Sequence, residues 1–119
     1  MIEKDRRKQL LEQFKEIKTY MGAVQIKNLK NGKIFVAVYP NLKNKWYTLC
    51  MQLNGGKHMN GALQADWTAL GEVAFEYTIL EQMPDDDVKD KPYKLRQLER
   101  KWHETLQPYG ERGYNKPLK

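Results

Sequence analysis

The chain has little of what secreted, membrane-spanning or zinc-binding proteins need. Cys50 is the single cysteine among 119 residues, which excludes an internal disulfide framework and favours a reducing compartment. One cysteine and two histidines are too few ligands for a typical structural zinc site. No apolar run approaches the ~18 residues of a membrane span, and the charged start over 1–7 lacks the apolar segment of a secretory signal. These absences predict a cytoplasmic protein.

Acidic residues are scarce in the first half of the chain. Residues 1–60 contain 12 Lys and Arg against four Asp and Glu, whereas residues 61–119 contain nine against 11, within a total net charge of +6. Such a gradient makes one face attractive to phosphates and indicates nucleic acid as a partner. An ordinary solubilising surface is the alternative. A chain of this length and 40% hydrophobic content forms one folded domain.

Hydrophobic periodicity and turn signals predict four helices and three strands. An amphipathic helix over 3–18 is expected to pack on the rest of the domain, so that 1–20 is an N-terminal helical unit and 21–119 is the main fold. Asn31-Gly32 predicts a hairpin turn. The strands are predicted over 21–28, 33–39 and 73–81, and the other helices over 41–54, 60–70 and 92–106. The fold class is therefore α+β, with a three-stranded antiparallel sheet flanked by helices.

The two hairpin strands carry a family resemblance. The first contains Gly22-Ala23-Val24 followed by Gln25-Ile26-Lys27-Asn28, and the second contains Phe35-Val36-Ala37. Further landmarks follow in order across residues 21–115: Asn41-Leu42 to Trp46, His58, Leu63-Gln64 to Trp67, Gly71-Glu72, Phe75-Glu76, Leu80-Glu81, Leu98-Glu99 to Trp102, and Gly113-Tyr114-Asn115. In this order and spacing the chain resembles the GIY-YIG nuclease domain.

The resemblance implies a site for phosphodiester cleavage in which both signature tyrosines are replaced. In the family, the two tyrosines organise the attacking water, an arginine holds phosphate, and a glutamate on the last helix binds a divalent metal. The tyrosine positions hold Val24 and Phe35 here, the arginine position holds Lys45, and the glycine after the second tyrosine is Ala37. Three family positions are retained: Glu99 as the ligand for Mg²⁺ or Mn²⁺, His58, and Asn115.

Each of these residues also has a purely structural interpretation. Val24 and Phe35 suit the core of a sheet, and Lys45 suits a solvated surface. Glu99 lies on the apolar side of its helix, where a salt bridge to Lys45 or another basic residue would satisfy the carboxylate without a metal.

Two further residues have positions in the chain that bear on the site. His58 follows two glycines and suits a loop or cap. Tyr39 shares a strand face with Phe35, but about 13 Å along the strand, which is too far for direct substitution of the missing hydroxyl.

These residues predict a degenerate GIY-YIG-type domain, catalytically silent or weak, that binds nucleic acid. The alternatives are an active metal-dependent endonuclease, with Lys45, Glu99 and His58 in the family's catalytic positions, and a protein-interaction adaptor. The predicted nucleic-acid contacts are Lys27, Lys33, Lys43, Lys45 and Asn115.

Overall fold

The computed structural model describes residues 19–118, apart from the side chain of Asp87. The predicted helix over 3–18 lies outside these residues. Within them, no helix is long and apolar enough to cross a membrane. The strands are β1 (Tyr20–Asn28), β2 (Ile34–Tyr39) and β3 (Phe75–Pro84), and the helices are α1 (Lys45–Asn54), α2 (Gly61–Leu70) and α3 (Lys91–Leu106).

The three strands form one antiparallel sheet in the order β2-β1-β3. Ile26 on the central strand lies opposite Phe35 on β2 and Tyr77 on β3. The register between β1 and β3 shifts between Ala23 and Val24 of β1, where a bulge interrupts the pairing. The predicted α+β class and the antiparallel sheet are confirmed.

The hairpin forms where Asn31 and Gly32 predict it, but its loop is wider than a two-residue turn. Only Gly32 has a positive φ, 79°, whereas the common two-residue turn requires positive φ at both central positions. Asn31 instead accepts a hydrogen bond from the Lys33 backbone N–H at 2.9 Å. The loop is closed by Asn28, whose backbone N–H donates to the Lys33 carbonyl at 2.8 Å.

Helix α1 begins at Lys45 rather than at Asn41, where the sequence predicted it. The Asn41 side chain accepts from the Lys43 backbone N–H at 2.9 Å, which closes a local turn that competes with a helix start. Asn44 then adopts a left-handed conformation, with φ 54°. The first helical residue is therefore Lys45, one turn later than expected.

Helix α2 has the start that the sequence predicts, while β3 is shifted along the chain. Asn60 caps α2 by accepting from the Leu63 backbone N–H at 3.0 Å. Residues Glu72–Ala74 form a short 3₁₀ turn, so the predicted strand over 73–81 starts later and runs to Pro84.

Helices cover both faces of the sheet. On one face, Trp46 of α1 stacks on Tyr77, and Trp67 of α2 lies 5.0 Å from Phe75 between ring centroids. On the other face, the indole N–H of Trp102 on α3 donates to Glu81 at 3.0 Å. The central strand is consequently buried over Met21–Val24 without the alternation of a one-sided strand.

The segment after α3 returns to the sheet and fixes its edge. The Asn115 side-chain amide pairs with the backbone of Val36, accepting from its N–H at 2.8 Å and donating to its carbonyl at 2.7 Å. The Tyr114 hydroxyl donates to Asp66 at 2.6 Å and accepts from the buried Asn28 at 3.0 Å. The outer edge of β2 is thus closed at Val36 by a side chain that imitates a neighbouring strand.

We expect Gly22→Ala to lower the free energy of unfolding by about 1–3 kcal/mol, because overpacking a filled site forces backbone shifts. A Cβ at Gly22 would collide with the Glu81 carbonyl on β3. Gly61→Ala is the control, since none of residues 19–118 lies near its Cβ position, and alanine favours the helix by up to ~1 kcal/mol. Urea melts of both variants measure the effect; equal stability of the two would contradict the close approach at Gly22.

Candidate functional site

A cavity of about 470 Å³ lies along the outer edge of β2. Three elements contribute its main side chains: β2, the loop between α1 and α2, and α3. These side chains are Phe35, Ala37, Tyr39, Lys57, His58 and Glu99. The volume is within the range of small-ligand sites. Three residues predicted from the sequence, Phe35, His58 and Glu99, therefore meet in one place although they are far apart in the chain.

The two positions matched to the family's tyrosines are apolar. Val24 is 1% exposed and lies between Ala37 and Ile79 in the sheet, so it is a core residue beneath the cavity wall. Phe35 is half-buried at the wall, with its ring 5.2 Å from that of His58 in an edge-to-face arrangement. Neither position offers a hydroxyl to water or phosphate.

His58 is held as a hydrogen-bond donor toward the cavity. Its Nδ1 accepts from the Asn60 backbone N–H at 3.0 Å, and its own backbone N–H donates to Gln64 at 3.0 Å. Burial lowers the pKa of the imidazole, which favours the neutral form. Because Nδ1 is an acceptor, the proton of this neutral form is on Nε2. The lone pair that a general base would need is already engaged.

Glu99 lines the cavity and lacks, among residues 19–118, the ion pair predicted for it. Within residues 19–118, the carboxylates that lie within 4 Å of a Lys or Arg nitrogen are Asp85, paired with Lys91, and Glu81, paired with Lys101. The expected salt bridge from Glu99 to Lys45 or another basic residue is therefore wrong for the described part of the chain. Lys45 turns to an aromatic ring instead.

A metal at Glu99 would find few protein ligands. In the described part of the chain, no three His, Cys, Asp or Glu residues are grouped closely enough to hold an ion. One carboxylate fits the way Mg²⁺ is often bound, with water and phosphate oxygens completing the shell. The donor set is thus compatible with a divalent ion that a phosphate ligand helps to hold.

Lys45 and Tyr39 form a pair that the sequence did not predict. The Lys45 ammonium lies 4.4 Å from the centroid of the Tyr39 ring, within the range of a cation–π contact. Burial, together with the neighbouring Tyr77 phenol, raises the pKa of Tyr39 to about 12, so its hydroxyl keeps the proton. Strand alternation placed Tyr39 on the face of Phe35, but only the cavity shows that both rings border the same space.

The residues predicted to contact nucleic acid are spread over the domain. Lys43 and Lys45 lie beside the Tyr39 end of β2, whereas Lys33 lies at the turn end, 5.8 Å from the Tyr114 ring. Lys27 follows Ile26 and therefore points to the opposite face of the sheet. The Asn115 amide is engaged with Val36, as described above. Sequence reasoning missed Lys57 and Gln52, which also line the cavity; the proximity of Lys57 to His58 was the available signal.

Two solved structures resemble the chain. The catalytic domain of homing endonuclease I-TevI is 28% identical, with a TM-score of 0.66, covering 82% of this chain and 99% of that one. A point mutant of the I-TevI intron endonuclease catalytic domain is also 28% identical, with a TM-score of 0.53, covering 81% of this chain and 92% of that one. No protein-family model and no curated protein matches the chain. The chain has the GIY-YIG nuclease fold, and the resemblance seen in the sequence is confirmed.

We expect the free energy of unfolding to fall as the pH is lowered from 7.5 to 5.5. Burial lowers the pKa of both His58 and His103, and for His103 the nearby Glu99 opposes the shift. The unfolded chain takes up protons near pH 6.5, before the folded one does, so acid favours unfolding in this window. His103 is 3% exposed, and its Nε2 is buried without a partner among residues 19–118.

Urea melts at the two pH values measure this dependence. His103→Phe should reduce it, whatever its effect on stability at pH 7.5, because the phenylalanine cannot take up a proton. An unchanged dependence in this variant would contradict the role of His103.

Proposed function

We propose that the domain is a nucleic-acid-binding module that cuts its ligand weakly or not at all. One observation carries this proposal: the cavity retains Glu99 and His58, while the positions matched to the water-organising tyrosines hold Val24 and Phe35. The structural neighbours are endonuclease domains, and the shared fold supports a nucleic acid as the ligand.

Weak chemistry follows from the groups that the cavity lacks. Each general acid–base contribution is typically worth about 10²- to 10⁴-fold in rate, and two hydroxyls are missing. His58 does not replace them as a base, because its Nδ1 accepts from Asn60. Lys45 supplies a positive charge but not the planar, bidentate fork of an arginine.

Binding is supported by the cations beside the cavity. Lys45 lies over the ring of Tyr39, which lines the cavity together with Lys57, and Lys43 is two residues before Lys45 in the chain. None of these lysines has a carboxylate partner within 4 Å among residues 19–118. Their charges are therefore available to phosphates, for which counterion release supplies much of the affinity.

An active endonuclease is the second candidate, and Glu99 favours it. A half-buried carboxylate that opens into a cavity, without a basic partner in the described part of the chain, can bind a divalent ion. When bound, such an ion would stabilise charge on a phosphate and activate water. Plasmid nicking distinguishes the two candidates.

We expect purified protein to show no robust nicking of supercoiled plasmid with Mg²⁺ or Mn²⁺. Val24 and Phe35 cannot orient a water molecule, so Phe35→Tyr, which restores one hydroxyl at the cavity wall, is the variant in which activity should rise. Glu99→Gln is the matched control, because it keeps the size of the side chain and removes the charge. Metal-dependent nicking by the unmodified protein that disappears in Glu99→Gln would favour the active enzyme.

We expect affinity for duplex DNA to fall steeply with salt, with a log–log slope of about −0.9 for each phosphate contact. Replacing Lys43 and Lys45 together by alanine should weaken binding to all sequences alike and make the slope shallower. Lys27→Ala is the control, since Lys27 lies on the other face of the sheet. Fluorescence anisotropy over a salt series measures both quantities.

Binding that ignores salt, or that the double variant leaves unchanged, would exclude this surface. Absence of both binding and cleavage would leave the protein-interaction adaptor as the better interpretation.

A further inference from the structure

We propose that the Tyr39 hydroxyl binds phosphate together with Lys45, as the second donor of a two-residue phosphate site. The inference rests on the proposed nucleic-acid binding and assigns a role to a residue that the family resemblance does not mark. In this site the ammonium of Lys45 and the phenol of Tyr39 together supply the two hydrogen-bond donors that one arginine side chain would supply.

The need for a second donor follows from the chemistry of Lys45. An arginine presents parallel N–H groups that bind two phosphate oxygens at once, whereas a lysine is a single compact charge on a flexible stem. Lys45 alone would hold a phosphate without fixing its orientation. A neutral donor at a fixed position beside it restores a two-point contact.

The geometry places Tyr39 in that position. The Lys45 ammonium lies over the Tyr39 ring, 4.4 Å from its centroid, so the ring holds the charge at the cavity wall. The phenol oxygen is at the edge of the same ring. One non-bridging oxygen of a phosphodiester can accept from the ammonium while the other accepts from the phenol.

Among residues 19–118 the Tyr39 hydroxyl makes no hydrogen bond with the protein, and Tyr39 lines the cavity. The described residues therefore leave this hydroxyl without a partner, which a ligand in the cavity would supply. The raised pKa of this phenol keeps it a donor at neutral pH.

Tyr39→Phe separates this role from a structural one. The variant keeps the ring, its packing and the cation–π contact with Lys45, and removes only the hydroxyl. Tyr47→Phe is the matched control, because Tyr47 lies on the exposed side of α1, with 68% of its surface accessible. Circular dichroism melts establish that both variants remain folded.

The probe is a fluorescein-labelled 20-base-pair DNA duplex, followed by anisotropy over a salt series. We expect Tyr39→Phe to weaken binding by about tenfold, as for loss of a hydrogen bond to a charged group, and Tyr47→Phe to match the unmodified protein. The slope against salt should not change in Tyr39→Phe, since a neutral hydroxyl releases no counterion. Lys45→Ala, in contrast, should make the slope shallower by about 0.9.

A rescue experiment tests the shared role directly. Adding Lys45→Arg to Tyr39→Phe should restore most of the lost affinity, because the guanidinium supplies both donors. The same substitution in the unmodified protein should gain much less.

Two results would overturn the inference while leaving the proposed function intact. One is DNA binding by the unmodified protein that Tyr39→Phe does not change, and the other is an equal loss in Tyr47→Phe. Absence of DNA binding by the unmodified protein would overturn the inference and the proposed function together.

Discussion

Burial of the central strand from both sides is the constraint on which the rest of the structure depends. β1 pairs with β2 along one edge and with β3 along the other, while α1 and α2 cover one face and α3 the other. A strand in this position must be small or aliphatic on both faces, and Met21 to Val24 meet that demand. Val24 is consequently a core residue, at the position that the sequence resemblance matches to the first signature tyrosine.

The cavity exists because β2 is an edge strand that is closed over only part of its length. Unpaired strand edges invite unwanted pairing and are commonly covered. Asn115 covers the edge at Val36 with a pair of hydrogen bonds, and Tyr114 is anchored through Asp66 and Asn28. Beyond Val36 the strand continues through Ala37 to Tyr39 along the cavity, where His58 and Glu99 face it. The segment that contains Tyr114 and Asn115 thus shapes the site by packing against β2, without contributing a reactive group.

The sequence predicted the features that local chemistry determines. The three strands, the turn at Gly32 and the start of the helix at Asn60 depend on neighbouring residues, and all three were found. The start of α1 was missed because the Asn41 side chain closes a turn with Lys43 in place of capping a helix; both uses of asparagine have the same sequence signal. The predicted Glu99 ion pair is not found among residues 19–118 for another reason, since the partner of a charged side chain depends on tertiary distances that spacing does not give.

Tyr39 shows the same difficulty at the site. The spacing along the strand predicts how far its Cα lies from that of Phe35. It does not predict that the two side chains border the same cavity. The Lys45 side chain, which the sequence paired with Glu99, lies instead on the Tyr39 ring. The tertiary structure determines whether a lysine contacts a carboxylate or an aromatic face. Here it places the Lys45 charge next to the Tyr39 phenol.

Glu99 constrains what this cavity can hold. A carboxylate repels a phosphate, and at the reduced effective dielectric near a protein surface this repulsion can reach roughly 4 kcal/mol for unit charges about 4 Å apart. The lysines offset it only if they lie closer to the phosphate than Glu99 does. In the proposed site that lysine is Lys45, which lies over the Tyr39 ring at the end of β2 far from the hairpin turn. A phosphate held there leaves Glu99 facing the remaining volume, where a cation or the N–H groups of a nucleobase are its complementary partners. For the proposed phosphate site, a ligand with an anionic end and a donor end, as a nucleotide unit has, therefore fits these charges better than a simple anion does.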